Sequence, residues 1–185
     1  RHEVDAMNDV FSAVPEVDAT KLHAWKDKLI SKQRGGIKML LKSNKCDHLV
    51  GDASITGKNT LSVKTDSGTE TIEFEKLVLA TGAKVIEIPG FSFADDLIGY
   101  ARDGVAYDPI PEELVIIGGG VIGCELGMAY SKLGSKVTIV EMQKQVLTGT
   151  DKDLIRPILK VMKKQGIELL TETKAKGCKT NGKKA

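Results

Sequence analysis

The sequence predicts an α/β fold, and two patterns along the chain support this prediction. From residue 114 to residue 170, short apolar runs typical of buried strands alternate with longer helical segments. This alternation predicts parallel strands joined by helical crossovers. Between residues 46 and 74, short β-prone runs are instead separated by turn residues, which predicts an antiparallel β meander. The 185 residues therefore combine two kinds of sheet.

Composition and charge are those of an ordinary globular protein. Hydrophobic residues make up 41% of the chain and charged residues 28%, and the net charge is +2. The interspersed charges argue against a dedicated nucleic-acid surface. No apolar stretch approaches the ~20 residues of a membrane span, and no secretory leader is visible. We expect neither nucleic acid nor a membrane as a partner.

The cysteines and histidines are too scattered to predict a metal or redox site. Cys46, Cys124 and Cys178 form no C-x-x-C or C-x-x-x-x-C pair, and the three histidines are equally dispersed. We therefore expect no structural metal. The thiols are predicted to be buried or inert in a reducing compartment.

The first regular element is a helix predicted to start near Lys21, with Asp18 or Thr20 as its N-cap. Gly35 and Gly36 interrupt its apolar face. Each glycine in a helix costs about 1 kcal/mol relative to alanine. We therefore expect either a break in the helix or a close backbone approach at these two residues.

Several β-prone runs follow this helix. Strands are predicted at 46–50, 61–64 and 71–74, with turn residues between them. The continuous apolar run at 77–80 predicts a strand buried on both faces. The proline-containing segment 89–111 predicts a connection between two structural units.

The second half of the chain has a more regular pattern. Strands are predicted at 114–117, 137–140 and 167–170, and helices at 121–133 and 154–165. The order β-α-β-α-β predicts a parallel sheet with crossover helices.

A glycine-rich fingerprint joins the first of these strands to its helix. It follows the pattern G-x-G-x-x-G and consists of Gly118, Gly119, Gly120, Val121, Ile122 and Gly123. Gly118 permits a tight turn, Gly120 leaves room for a pyrophosphate, and Gly123 lets the helix approach the sheet. The N–H groups of the first helical turn would face the diphosphate. The strand before it, the helix after it and an acid at the end of the next strand predict a Rossmann-type dinucleotide site.

Two carboxylates belong to this predicted site. Glu141 is placed to reach the ribose hydroxyls of adenosine and would repel a 2′-phosphate, with Lys144 as the nearest cation in sequence, so the pattern favours NAD over NADP. Glu125, in the first helix, has two open interpretations. It is either an exposed carboxylate that interacts with the helix dipole, or a polar contact near the nicotinamide.

A resemblance to a known family extends over nearly the whole chain. The segment LVIIGGGVIGCELGMAYSKLGSKVTIVE closely resembles the NAD-binding region of the dihydrolipoyl dehydrogenase family of flavoprotein disulfide reductases. The segments GGIKMLLKSNKCDHLVGDASITGKN and EKLVLATGAKVIEIPGF resemble the middle of that family's FAD domain. The resemblance implies that residues 1–104 are the later part of an FAD-binding domain and residues 105–185 most of an NAD-binding domain.

The resemblance also implies the residues that contact cofactors. FAD would be approached by Ala53, Thr81, Gly82 and Ala83. NAD would be contacted by the fingerprint, Cys124, Glu125 and Glu141, with Glu125 close to the nicotinamide.

The activity implied is oxidation of dihydrolipoamide with FAD and NAD as cofactors. The substrate would be carried by a lipoyl-bearing protein of a 2-oxo-acid dehydrogenase or glycine-cleavage complex. The full-length protein is expected to be a homodimer in the cytoplasm, or in the mitochondrial matrix if the source is eukaryotic. The family's redox-active cysteine pair and its His-Glu acid–base pair would lie outside this chain. We therefore expect an internal fragment with no catalytic residue and no activity of its own.

Three alternatives remain open at this point. The chain could be part of a sibling flavoprotein disulfide reductase, since the substrate-determining residues are absent from it. It could be a stand-alone NAD-binding module without redox catalysis. A structural or interaction protein would require the fingerprint to be accidental.

Overall fold

The computed structural model describes residues 16–179. The described chain divides into two units, one formed by residues 26–84 and the other by residues 16–25 together with 85–179. The ends of the two predicted domains, at 1–15 and 180–185, lie outside the described residues. The predicted boundary near Gly104 stays a prediction, and segment 89–111 belongs to the second unit.

The first element is the long helix α1, Ala19–Ser43. Asp18 caps it, because its Oδ1 accepts the Lys21 backbone N–H at 2.9 Å and its Oδ2 pairs with Lys21 Nζ at 2.8 Å. Thr20, the other predicted cap, instead donates its hydroxyl to Asp108 Oδ2 at 2.9 Å.

The break predicted at Gly35 and Gly36 is wrong, because α1 continues through both residues. A Cβ placed on either glycine would meet no atom of residues 16–179 within 4 Å, so no other backbone in the described part of the chain approaches there. The two glycines are tolerated because the rest of this 25-residue helix, rich in lysine and leucine, favours helix formation.

Three short strands form the predicted meander. They are β1 (Asp52–Gly57), β2 (Thr60–Thr65) and β3 (Gly68–Glu73), antiparallel in the order β1-β2-β3. The strand predicted at 46–50 is wrong, and the register explains why. Asp52 already lies opposite Lys64 near the end of β2, so residues 46–50 have no β2 partner for a ladder.

The strand predicted at 77–80 is also wrong. These residues have no regular secondary structure, and Val78 and Leu79 are 86% and 68% exposed. A strand needs a neighbour that satisfies its backbone groups. Neither of the sheets within residues 16–179 includes this segment.

A parallel sheet with two crossover helices completes the structure. The elements are β4 (Glu113–Ile117), α2 (Val121–Leu133), β5 (Lys136–Val140), α3 (Lys152–Lys164) and β6 (Glu168–Leu170). The strands are parallel in the order β4-β5-β6. This confirms the predicted β-α-β-α-β unit and its α/β class.

Helix α2 lies close to this sheet because a glycine faces it. A Cβ on Gly127 would lie 3.0 Å from Ile139 Cδ1 and 3.4 Å from Ile116 Cδ1. The helix ends, as predicted, at Gly134, whose φ of 107° is left-handed. The core behind it contains Cys124, Tyr130, Val137, Ile139, Val146, Ile155, Met162 and Ile167.

Between residues 16 and 179, no helix is both long and apolar enough to span a bilayer.

Candidate functional site

The candidate site is built around the glycine turn between β4 and α2. Gly118 has a φ of 108°, a left-handed conformation that glycine adopts without steric cost. Its N–H donates to the Val140 carbonyl at 2.9 Å, which ties the turn to the end of β5. The turn therefore lies at the carboxyl edge of the parallel sheet, where open α/β sheets bind ligands.

The fingerprint glycines have different surroundings. A Cβ on Gly123 would clash with the Gly118 carbonyl oxygen and lie 3.2 Å from Ile116 Cγ2, so Gly123 lets α2 begin close to β4. Among the described residues, a Cβ on Gly120 would meet no atom within 4 Å. Gly120 is the N-cap of α2, and the N–H groups of the next three residues have no acceptor inside an α-helix. This open space beside free donors fits a diphosphate.

Glu141 lies beside the turn, at the end of β5. Its Oε2 accepts the Gly119 N–H at 2.7 Å, and its Oε1 accepts the Gln143 N–H at 2.7 Å. Its own backbone pairs with Leu170 and Thr173 at 2.8 and 3.0 Å. Each carboxylate oxygen keeps a second lone pair, so a half-buried, fixed carboxylate remains able to accept a hydroxyl.

The segment after Glu141 was missed by the sequence analysis. The Leu147 N–H donates to the Gly119 carbonyl at 2.8 Å. Val146 is buried, and its Cγ1 lies 2.6 Å from the position of a Cβ on Gly119. The one available signal was an adjacent apolar pair, Val146 and Leu147, in a loop whose only other large apolar residue is Met142.

Cys124 contacts the same turn from the helix side. It is buried, and its Sγ donates to the Gly119 carbonyl at 3.4 Å. Burial raises the pKa of this thiol, and the negative charges of Glu141 and Glu125 raise it further. The thiol is therefore a protonated donor at neutral pH rather than a nucleophile.

Glu125 is exposed on α2. This exposure agrees with both interpretations of the residue, the dipole contact and the nicotinamide contact, so its role stays a prediction.

The other cysteines differ from Cys124 in burial. Cys46 is exposed and Cys178 is half-buried, so for Cys46 only the second part of the prediction, an inert thiol, stays open. All three are free thiols. Within the described part of the chain, no group of three or more His, Cys, Asp or Glu side chains could hold a metal ion.

The residues assigned to FAD belong to the unit formed by 26–84. Ala53 is exposed in β1 opposite Val63. Thr81, Gly82 and Ala83 are exposed in a segment without regular secondary structure, and Gly82 has a φ of 77°. These residues are accessible, but their geometry assigns no ligand.

A cavity of about 890 Å³ borders the glycine turn. Gly118, Gly120 and Ile122 lie on its wall together with apolar side chains such as Phe93 and Leu126. Its volume falls within the range of about 300–1,000 Å³ typical of small-molecule sites. The turn therefore opens onto a space large enough for part of a dinucleotide.

Most of the chain is similar in sequence to proteins of one known family. Residues 3–185 match the family described as pyridine nucleotide-disulphide oxidoreductase. The dihydrolipoyl dehydrogenase of Haloferax volcanii is 39% identical over 160 residues, covering 85% of this chain and 34% of the relative. That of Geobacillus stearothermophilus is 37% identical over 161 residues, covering 87% and 34%. The chain thus spans about a third of the length of these curated relatives.

Solved structures share the fold. LpdA from Mycobacterium tuberculosis superposes with a TM-score of 0.74 at 22% identity, covering 89% of this chain and 38% of that chain. A Cu(II) complex of the HOCl-induced flavoprotein disulfide reductase RclA from Escherichia coli has a TM-score of 0.73 at 23% identity, covering 88% and 37%.

Proposed function

The chain belongs to the pyridine nucleotide-disulphide oxidoreductase family, and from this premise we propose that residues 105–185 form most of the NAD-binding domain of a dihydrolipoyl dehydrogenase. The observation that carries the proposal is the glycine turn, with open space at Gly120 and Glu141 fixed beside it. Membership in the family makes the parent protein an oxidoreductase. The relatives at 37–39% identity support its assignment as a dihydrolipoyl dehydrogenase.

The turn and Glu141 bind different parts of NAD. The N–H groups at the start of α2 bind the diphosphate, which approaches over Gly120 because no side chain fills that space. Glu141 accepts hydroxyls of the adenosine ribose. Its negative charge repels a 2′-phosphate, so NAD is the preferred dinucleotide.

FAD and a nicotinamide dinucleotide, NAD or NADP, are the cofactors of this family, and they would supply the electron transfer when bound. We propose that Ala53, Thr81, Gly82 and Ala83 line the FAD site, a role that rests on family membership. The contribution of this chain is to bind and orient the two cofactors, and no residue in it is assigned to proton transfer.

In the complete protein the proposed substrate is the dihydrolipoamide of a lipoyl-bearing protein in a 2-oxo-acid dehydrogenase or glycine-cleavage complex. Dihydrolipoamide loses two electrons and two protons to become lipoamide. NAD accepts a hydride, and one proton is released. We further propose that the full-length protein is a homodimer in the cytoplasm, or in the mitochondrial matrix if the source is eukaryotic.

The experiment that tests this proposal is calorimetric titration of the chain with NAD and NADP, using Gly120→Val. Gly120 has a φ of −71° and no neighbour within 4 Å of a Cβ, so valine fits the backbone but occupies the diphosphate space. We expect NAD binding in the wild type and at least about tenfold weaker binding in the variant, a difference of ~1.4 kcal/mol.

Gly36→Val is the matched control for this experiment, because its Cβ also meets no atom within 4 Å and it lies in α1. It should bind NAD like the wild type, and all three chains should show the same circular dichroism. Absence of NAD binding in the wild type, or equal binding in Gly120→Val, would contradict the proposal.

A stand-alone NAD-binding module is the second candidate. The parallel sheet, both crossover helices and a buried core lie within this chain, which favours an independent binding unit. The intact mass of the protein from its source distinguishes the candidates, because a stand-alone module would have the 19.9 kDa of this chain, whereas the dihydrolipoyl dehydrogenases it matches are about three times as long.

A further inference from the structure

The backbone of Gly119 is held from three directions. Its N–H donates to Glu141 Oε2 at 2.7 Å. Its carbonyl accepts the Leu147 N–H at 2.8 Å and the Cys124 Sγ at 3.4 Å. Gly119 is buried, whereas Gly118 and Gly120 on either side of it are not. Gly119 therefore connects the turn to the protein interior through its backbone hydrogen bonds.

The loop from Glu141 to Thr150 supplies two of these three contacts, those of Glu141 and Leu147, and is itself closed by hydrogen bonds. The Thr150 N–H donates to the Leu147 carbonyl at 3.0 Å, and Gln145 Nε2 donates to the Thr150 carbonyl at 3.2 Å. Leu147 has a φ of 52°, a conformation that leucine rarely adopts and that its surroundings must hold. Val146, 1% exposed, packs under Gly119.

The Leu147 hydrogen bond also determines where the next N–H points. The Gly119 carbonyl and the Gly120 N–H belong to one planar trans peptide, so they point in opposite directions. A carbonyl directed inward at Leu147 leaves the Gly120 N–H directed away from the core. With this peptide reversed, a carbonyl oxygen would face the bound anion instead of a donor.

We propose that Val146 and Leu147 are positioning residues, which hold the Gly119–Gly120 peptide so that the Gly120 N–H faces the diphosphate of the dinucleotide. The ligand in this inference rests on the proposed function. The Leu147–Gly119 hydrogen bond and the packing of Val146 under Gly119 are present in the chain without ligand. It also explains why position 119 is a glycine, since a Cβ there would lie 2.6 Å from Val146 Cγ1.

The test uses Val146→Ala, with Val137→Ala as the matched control. Both valines are 1% exposed in the same core, so both variants lose the same atoms from equally buried positions. Hydrogen exchange of the full chain without dinucleotide measures how firmly Leu147 is bonded to Gly119, because this hydrogen bond protects the Leu147 amide from exchange. Titration with NAD then reports the consequence for binding.

We expect Val146→Ala to speed exchange at the Leu147 amide and to weaken NAD binding by about tenfold, while Val137→Ala changes neither. Gly119→Ala should act like Val146→Ala but more strongly. The double variant Gly119→Ala/Val146→Ala should recover part of the loss, because the alanine Cβ occupies the space left by the valine methyls.

Equal effects of the two valine variants would overturn the inference, since they would indicate a general loss of packing. So would an unprotected Leu147 amide in the wild type, or a double variant no better than Gly119→Ala. If the wild type binds no NAD, the proposed function fails, whereas the exchange pattern still decides whether Val146 and Leu147 hold the turn.

Discussion

At the scale of single residues, the proposed preference for NAD rests mainly on Glu141. Its two oxygens accept the N–H groups of Gly119 and Gln143, so one carboxylate supports the turn and, in the proposed function, also sets the charge at the ribose end. A substitution there should affect affinity and selectivity together.

The first prediction concerns this double role. Glu141→Ala should weaken NAD binding by roughly tenfold or more, because a hydrogen-bonded carboxylate contributes about 1.5–3 kcal/mol. It should also relax the rejection of NADP, because the charge that repels the 2′-phosphate is gone. Calorimetric affinities for both dinucleotides test this, and unchanged values for both would refute the role.

The second prediction concerns the pH dependence of folding through Cys124. Burial raises the pKa of this thiol above its ordinary value of 9.0. As the pH rises from below 9.0 towards the higher pKa of the folded state, the unfolded chain loses the thiol proton that the folded chain keeps. The free energy of unfolding therefore falls. Cys124→Ser, whose hydroxyl also donates, should lose less stability between about pH 8 and pH 10.

Urea unfolding of the wild type and Cys124→Ser at several pH values measures this difference. Tyr107 and Tyr130 also have pKa values raised by burial, but both are present in the two proteins and their effects cancel. Parallel curves for the two proteins across the alkaline range would contradict the prediction.

At the scale of elements, periodicity predicted the parallel sheet better than the rest of the chain. Helix α2 and the strands around it have the predicted order because apolar runs, a glycine turn and terminal glycines agree with one another there. The prediction failed at 46–50 and 77–80, where strand-like composition has no partner strand among residues 16–179. Sequence composition reports β propensity, but pairing is a tertiary property.

The third prediction tests the continuity of α1. Gly35→Ala and Gly36→Ala should each stabilise the helix by about 1 kcal/mol, because their methyl groups would meet no atom within 4 Å. Gly127→Ala in α2 is the control, since its methyl would lie 3.0 Å from Ile139 Cδ1 and crowding would offset the gain. Far-UV circular dichroism during urea unfolding measures all three, and a loss of helix in the α1 variants would contradict a continuous α1.

At the scale of the whole molecule, the chain is about a third as long as its curated relatives. The fingerprint and Glu141 could be predicted because their spacing along the chain follows from the geometry of one βαβ unit. The contacts of Val146 and Leu147 could not, because they depend on how a loop returns to a turn more than 20 residues earlier. The FAD assignments came from resemblance and stay predictions.

The fourth prediction is that the isolated chain does not catalyse the parent reaction. Its three cysteines are far apart in sequence, so no neighbouring pair can exchange electrons with dihydrolipoamide. Mixing the chain with FAD, NAD and dihydrolipoamide should give no NADH absorbance above a protein-free control. Turnover would show that the electron path runs through residues in this chain.

Mapping where NAD binds is the most direct test of the proposal that the glycine turn is the dinucleotide site. Backbone amide resonances of the isotope-labelled chain would be followed during titration with NAD. We expect saturable shifts concentrated at residues 118–123 and at Glu141, with smaller changes along β1–β3. Saturable shifts centred elsewhere, or no shifts at a concentration of NAD that saturates related domains, would contradict the assignment of this turn as the dinucleotide site.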